Sequence, residues 1–446
     1  MKAGRMLVAL AIVSAVAVAM PRAQTTQGAA ERWIATWGTA QQTFRAPASP
    51  AASPAAPSPA PPPAQPAVGR GGPQRRFGIP ALLPGLHDQT IRMIARTSVG
   101  GRTVRIRLSQ AFGAPAVVVG AAHVGIRSAE SAMVPGSDRT LTFSGNPAVT
   151  LYAGQMVVSD PVKLDVRPSS DLAISLYLPG DTGPPTSHTF GLRPTHVSKQ
   201  GDATGSESIV EPASIGESYY WLAGVDVLAP ASGGALVTFG DSITDGDQST
   251  PDTVGMWPAM LAARLQRSAA TAGIGVVNAG ISGNRVLGDN NSGLARLSRD
   301  VLAVPGVRWM TLLEGINDIT NATRTGTAGT TFTADTLIAA YRQMIEIAHG
   351  HGVKVIGCTL TPYGGSSVYT EQGEAIRQAV NRWIRTGGAF DAVFDFDQAT
   401  RDPQDASRFR TGADSPDMLH PANPGYALMA ESIDLSVFRK LVGASR

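Results

Sequence analysis

The chain is 446 residues long, 43% hydrophobic and only 16% charged, a length and composition that provide for two or three domains with packed cores. A single cysteine, Cys358, excludes an intrachain disulfide framework and a cysteine-based zinc site. The net charge of +3 matches Lys2, Arg5 and Arg22 in the first 23 residues, so the remainder is formally neutral and offers no electrostatic case for nucleic acid.

Residues 1–23 read as a secretory signal peptide. Lys2 and Arg5 precede an uncharged apolar run from Met6 to Met20, too short for a comfortable membrane span, and Ala17, Ala19 and Ala23 supply small residues for cleavage. The expectation is a secreted or periplasmic protein with no stable membrane insertion after cleavage; an uncleaved anchor helix is the alternative. Residues 24–85 form an N-terminal segment. Its Pro/Ala-rich part, from residue 46, holds about a dozen of the 32 prolines and cannot bury a core. Trp33 and Trp37 lie ahead of it and are expected to pack on a folded body, which makes the Pro-rich stretch a long surface loop.

Residues 86–229 read as an all-β sandwich. Val104, Ile106 and Leu108 alternate with Arg105 and Arg107, and residues 171–178 alternate likewise. Further strands are expected at 90–97, 116–126, 148–158 and 219–228, with turns at Gly100, Pro135, Asn146 and Gly180 between them. The arginines are expected to lie on solvated strand faces.

Residues 230–446 change period. Apolar runs at 235–239, 274–278, 307–313, 353–359 and 390–396 alternate with helical patterns at 258–267, 294–302, 334–349, 373–385 and 426–442. Such alternation predicts an α/β domain with a parallel sheet covered on both faces. Ligands then bind beyond the carboxyl ends of the strands.

Those ends carry polar blocks. Gly240-Asp-Ser-Ile-Thr244 follows the first strand, Asn278-Ala-Gly-Ile-Ser-Gly-Asn284 the second and Glu314-Gly-Ile-Asn-Asp318 the third, while Asp417-Met-Leu-His420 precedes the last helix. Ser242 needs a base to become a nucleophile, and His is suited to that role at neutral pH. Of the three histidines in this half, His349 and His351 end a helix at the opposite sheet edge, so His420 is the candidate base. Asp417, three residues away, can hold its tautomer; Asp414 is the nearest alternative carboxylate. An oxyanion needs preorganised donors, for which the backbone N–H groups of Ser242 and Gly283 and the side-chain amide of Asn317 are candidates. Asp241 and Asp318 are expected to hydrogen-bond turn backbone, Glu314 to be a satisfied carboxylate, and Cys358 to be a small core residue.

The four blocks, in this order over residues 240–420, resemble the SGNH, or GDSL-type, hydrolase family. The resemblance implies a three-layer α/β/α, flavodoxin-like domain, with Ser242 as nucleophile, Gly283 and Asn317 as oxyanion donors, and Asp417 and His420 completing a triad. Ile243 stands where the family's block has Leu, a structural position. Gln89-Thr-Ile-Arg92 and Ala121-Ala-His-Val-Gly125 are similar to a secreted bacterial subgroup with an N-terminal β domain. The resulting expectation is a serine esterase that works without cofactor or metal on a small-molecule or saccharide ester, with a short acyl group such as O-acetyl. A lipase or lysophospholipase for longer chains is the alternative within that chemistry. A carbohydrate-binding protein on an inactive hydrolase scaffold is the alternative of another class.

Overall fold

The computed structural model describes residues 30–43, 83–113, 115–209, 214–324 and 332–443. The expected signal peptide and nearly all of the Pro/Ala-rich stretch lie outside them.

The alternating segments form two antiparallel sheets. One runs in the order Glu31–Gly38, Leu222–Pro230, Gly101–Ser109, Val162–Val166, with Met156–Val158 also pairing Gly101–Ser109. The other runs Thr195–Gln200, Gln89–Arg96, Asp171–Leu178, Ala121–Ala129, flanked by two short strands. Inward residues such as Ile91, Met93, Ile106, Leu108, Ile174 and Leu176 are fully buried, as expected when two sheets share one core. The sheet therefore recruits a strand that starts at Glu31, ahead of the Pro-rich stretch, in addition to residues 86–229.

The arginines depart from expectation. Arg107 is only 4% exposed and donates from Nε to Asp226, which also accepts from Arg105. Arg92 is fully buried and donates to the carbonyls of Ser131, Thr204, Ser206 and Glu207. A guanidinium carries five donors in a rigid fork, so it can pin several loop carbonyls that would otherwise be buried unpaired. Alternation alone gives the face of a side chain; it does not reveal what covers that face.

The second unit is a three-layer α/β/α domain. Five parallel strands run in the order Ile274–Gly280, Gly234–Gly240, Val307–Leu313, Lys354–Cys358, Ala392–Phe394. In chain order this is 2-1-3-4-5, the flavodoxin-like arrangement, with its switch point beside the first strand. Trp257–Leu265 packs with Asn423–Ser432, and Ala334–Gly350 with Glu371–Thr386. Right-handed crossovers on the two sides of the switch point put these pairs on opposite faces.

The two units share a continuous buried core. Strand Glu31–Gly38 lies along the edge strand Ile274–Gly280. Ala35 N–H donates to the Pro305 carbonyl, and Val276 N–H donates to Ser98 Oγ. A Cβ at Gly275 would sit 2.3 Å from the Ala35 carbonyl oxygen, so this approach requires glycine. The β body thereby closes one edge of the parallel sheet next to the switch point.

Candidate active site

The first parallel strand ends at Gly240, where a Cβ would lie 2.2 Å from the Leu313 carbonyl oxygen. Next comes a one-turn helix, Ser242–Asp245, capped by the Asp241 carboxylate, which accepts from Ile243 N–H. The turn projects Ser242 Oγ beyond the strand end. His420 arrives on the turn before Asn423–Ser432, and Ser242 Oγ lies 2.8 Å from its Nε2. His420 Nδ1–H donates to Asp417 Oδ2 at 2.7 Å. An acceptor on Nδ1 fixes the tautomer and leaves Nε2 free to receive the serine proton.

Local backbone chemistry builds this pair. Asp417 Oδ1 accepts from Leu419 N–H, His420 N–H and Ser415 Oγ–H. Met418 between them adopts a left-handed φ of 56°. Burial alone would raise the Asp417 carboxyl, but the His420 ring and these N–H donors hold it well below the usual carboxylate range. For His420, burial opposes the charged ring, yet Asp417, Asp247 and Asp241 together raise it above its ordinary value. Asp414 is bridged to Pro421 through its backbone, while the His420 ring is taken by Asp417.

Asn317 meets the turn that carries Gly283. Gly283 sits exposed in a tight turn with φ of 75°. Asn317 opens helix Ile316–Arg324, and its Nδ2 donates to the Asn284 carbonyl at 2.9 Å. One N–H of that amide is thereby used and the other remains to donate. Asp318 accepts from Val286 and Leu287 N–H, and burial pushes it up to about 6. Both Asp241 and Asp318 thus bond turn backbone. Neither Gly283 nor Asn317 bonds directly to the Ser242–His420–Asp417 chain. They are tied to it through Ser282, which donates from N–H and Oγ–H to Asp245.

Two contributors, Arg296 and Asp247, lie outside the sequence expectations, and a third, Glu314, departs from its own. Arg296, almost fully buried, donates to the carbonyls of Gly240 and Ala279 and to Asn284 Oδ1. It stacks 3.8 Å from the Phe239 ring centroid and so joins two strand ends to the glycine turn. Glu314 lies 3.6 Å from Arg296, beyond hydrogen-bond range, and neither carboxyl oxygen has a partner. Burial pushes it up to about 8, and the carboxyl departs from the expected satisfied carboxylate. Asp247 sits 3.8 Å from His420 Nε2, and burial raises its carboxyl. No spacing marks Arg296; Asp247, five residues after the serine, and Glu314, which opens the third block, are within reach of the motif.

The cleft beside Gly283 has a volume of about 170 Å³ and is lined by Gln42, Thr189, Phe190, Ser282, Asn284 and Arg285, among others. The first three come from the β body. His349 and His351, bonded to Asp391 and the Ile347 carbonyl, sit before strand Lys354–Cys358 at the opposite sheet edge. Among the described residues, no helix is long and apolar enough to cross a membrane.

A strand-end serine in contact with a histidine on a flavodoxin-like sheet is an arrangement suited to nucleophilic acyl transfer. Residues 238–428 match the GDSL-like lipase/acylhydrolase family, and the chain carries a domain of that family. Solved structures to which the chain is similar include a GDSL-like lipase from Bacteroides thetaiotaomicron, 19% identical over 46% of this chain and 88% of that one, with a TM-score of 0.34. Another is a catalytic mutant of an acetylxylan esterase from Geobacillus stearothermophilus, 23% identical over 47% of this chain and 94% of that one, with a TM-score of 0.36. No curated protein matches the chain.

Proposed function

We propose that the chain is an exported serine esterase that cleaves short acyl groups, such as acetyl, from polar, saccharide-like alcohols through a covalent acyl-enzyme. The supporting observation is the hydrogen-bonded chain Ser242–His420–Asp417, at 2.8 and 2.7 Å. Ser242 Oγ attacks the ester carbonyl while His420 Nε2 takes its proton, and Asp417 stabilises the imidazolium that results. The oxyanion is received by the N–H groups of Ser242 and Gly283 and the Asn317 amide. His420 returns the proton to the departing alcohol, then activates the water that releases the acid.

The polar cleft beside Gly283 supports a hydroxyl-rich alcohol, because Gln42, Thr189 and Asn284 can exchange hydrogen bonds with it. One observation favours the longer-chain alternative. A largely apolar cavity of about 210 Å³ lies between the two units, lined by Trp37, Phe190, Tyr219, Val254 and Met256, and it reaches Asp245. A p-nitrophenyl ester series from acetate to decanoate, run beside an acetylated polysaccharide, separates the two. Highest kcat/KM on acetate with release of acetate from the polymer supports the short-acyl reading. A maximum at octanoate or beyond overturns it.

A further inference from the structure

His188 lies in the β body, on the two-residue strand Ser187–His188, and is 3% exposed. Its Nδ1 is 2.8 Å from the Ala40 carbonyl oxygen and its Nε2 is 3.0 Å from Asp245 Oδ1. The carbonyl can only accept, so Nδ1 carries a proton. An Asp245 carboxylate accepts from Nε2 in turn across the seam, and although burial opposes a charged ring, Asp245 and the Ala40 and Phe190 carbonyls raise it above its ordinary value. The ring stacks on Tyr219 at 6.4 Å, and Tyr219 is anchored by its hydroxyl to the Ile94 carbonyl.

Asp245 is the last residue of the one-turn helix that begins with Ser242. Its second oxygen accepts both Ser282 N–H and Ser282 Oγ–H at 2.9 Å. Ser282 immediately precedes Gly283. The absence of a side chain at Gly280, where a Cβ would lie 2.2 Å from Asp245 N, lets the two backbones come this close. A single carboxylate therefore joins the β body, the nucleophile helix and the glycine turn.

We propose that His188 is a positioning residue of the esterase site. Through Asp245 it holds the Ser282–Gly283 turn so that the Gly283 N–H faces the oxygen of an ester bound at Ser242. The inference rests on the reading of Gly283 as an oxyanion donor. Without a donor at the place of Nε2, Asp245 loses the hydrogen bond that ties it to the β body and is free to turn away from Ser282. A displacement of about 1 Å in such a donor costs on the order of 10²-fold in rate.

The test uses the full chain and p-nitrophenyl acetate, with active sites counted by a fluorophosphonate titrant. In His188→Gln the amide nitrogen occupies the place of Nε2 and can still donate to Asp245. In His188→Asn it occupies the place of Nδ1 and reaches only Ala40. The expected result is that His188→Gln stays within about threefold of wild-type kcat while His188→Asn loses about 10²-fold, both with little change in KM. Ser282→Ala, at a partly exposed position, should lose about three- to tenfold in kcat, the worth of one hydrogen bond. It decides the matter if His188→Asn fails to fold. Equal kcat in the Gln and Asn variants, a loss confined to KM, or an unchanged kcat in Ser282→Ala overturns the proposal. Asn317→Ala run in parallel separates the levels: if it keeps full activity, the oxyanion reading itself fails, whereas a damaged Asn317→Ala beside an unaffected His188→Asn removes only the role of His188.

Discussion

Two histidine–carboxylate pairs flank the one-turn helix of Ser242, and they differ in what faces the second ring nitrogen. On the Asp417–His420 turn that nitrogen meets a hydroxyl at 2.8 Å. A hydroxyl both donates and accepts, so the ring can be neutral or charged without losing a hydrogen bond. At the seam, His188 meets a carbonyl that only accepts, so Nδ1 keeps its proton there and the ring passes none on. The same side-chain pair is a proton carrier in one place and a strut in the other. The atom opposite the second nitrogen decides which, more than the carboxylate does.

The comparison breaks first at Ser242. Ser242→Ala removes the proton donor from Nε2 and with it the covalent route. Turnover of p-nitrophenyl acetate should fall to the roughly 10³–10⁴-fold over water that a site without its nucleophile retains. The melting temperature should stay close to wild type, because one small hydroxyl contributes little packing. Full activity with a normal melting curve would move the nucleophile elsewhere.

Asp417→Asn addresses the carboxylate side. The amide preserves shape but removes the charge and presents N–H to a nitrogen that must itself donate. We expect kcat to drop by about 10⁴, by analogy with the Asp→Asn change in a serine protease triad. If Asp417→Asn equals wild type, this pair is not the proton relay, and Asp414 becomes the carboxylate to test. Next in size is Asn317→Ala, expected to lower kcat by about 10²–10³ with a smaller change in KM, since its amide is aimed at charge that develops in the transition state. A change in KM alone would make Asn317 a ground-state contact.

How much of the molecule is legible in its sequence follows the same division between local and long-range chemistry. Strands 171–178 and 307–313 are readable to the residue, because their apolar pattern is self-contained. The polar blocks are readable because chemistry at strand ends is compact in sequence. The single helix expected at 426–442 is in fact two, Asn423–Ser432 and Ser436–Gly443, with Asp434 accepting from Ser436 N–H at the break. That aspartate is visible, but the apolar period continues across it. Residues 294–302 likewise resolve into an α-turn followed by a π-turn that brings Arg296 and Asp300 inward. His188 carries no local signal at all. It lies 57 residues from Asp245 on a two-residue strand, and a search for bases confined to the helix-rich half passes over it.

The smallest effect concerns the proton affinity of His420. The ring must be neutral to accept the serine proton, so activity falls as pH drops through its pKa. Burial lowers that pKa, but Asp417, Asp247 and Asp241 outweigh it and raise it above 6.5. The acid limb of kcat/KM should therefore have its midpoint above pH 6.5, with Asp247, 3.8 Å from Nε2, supplying part of the rise. Asp247→Asn removes that charge while its backbone carbonyl still accepts from Tyr426. It should shift the acid limb toward lower pH and leave the plateau of kcat/KM above that limb close to wild type, because on the plateau the ring is neutral in both proteins. The His188 ring lies between a carbonyl and a carboxylate and does not touch the serine, so His188→Gln should keep the wild-type midpoint. An acid limb that stays in place in Asp247→Asn means that this carboxylate does not set the affinity of the base. A limb that moves in His188→Gln means that the strut also titrates, and the division between the two pairs fails.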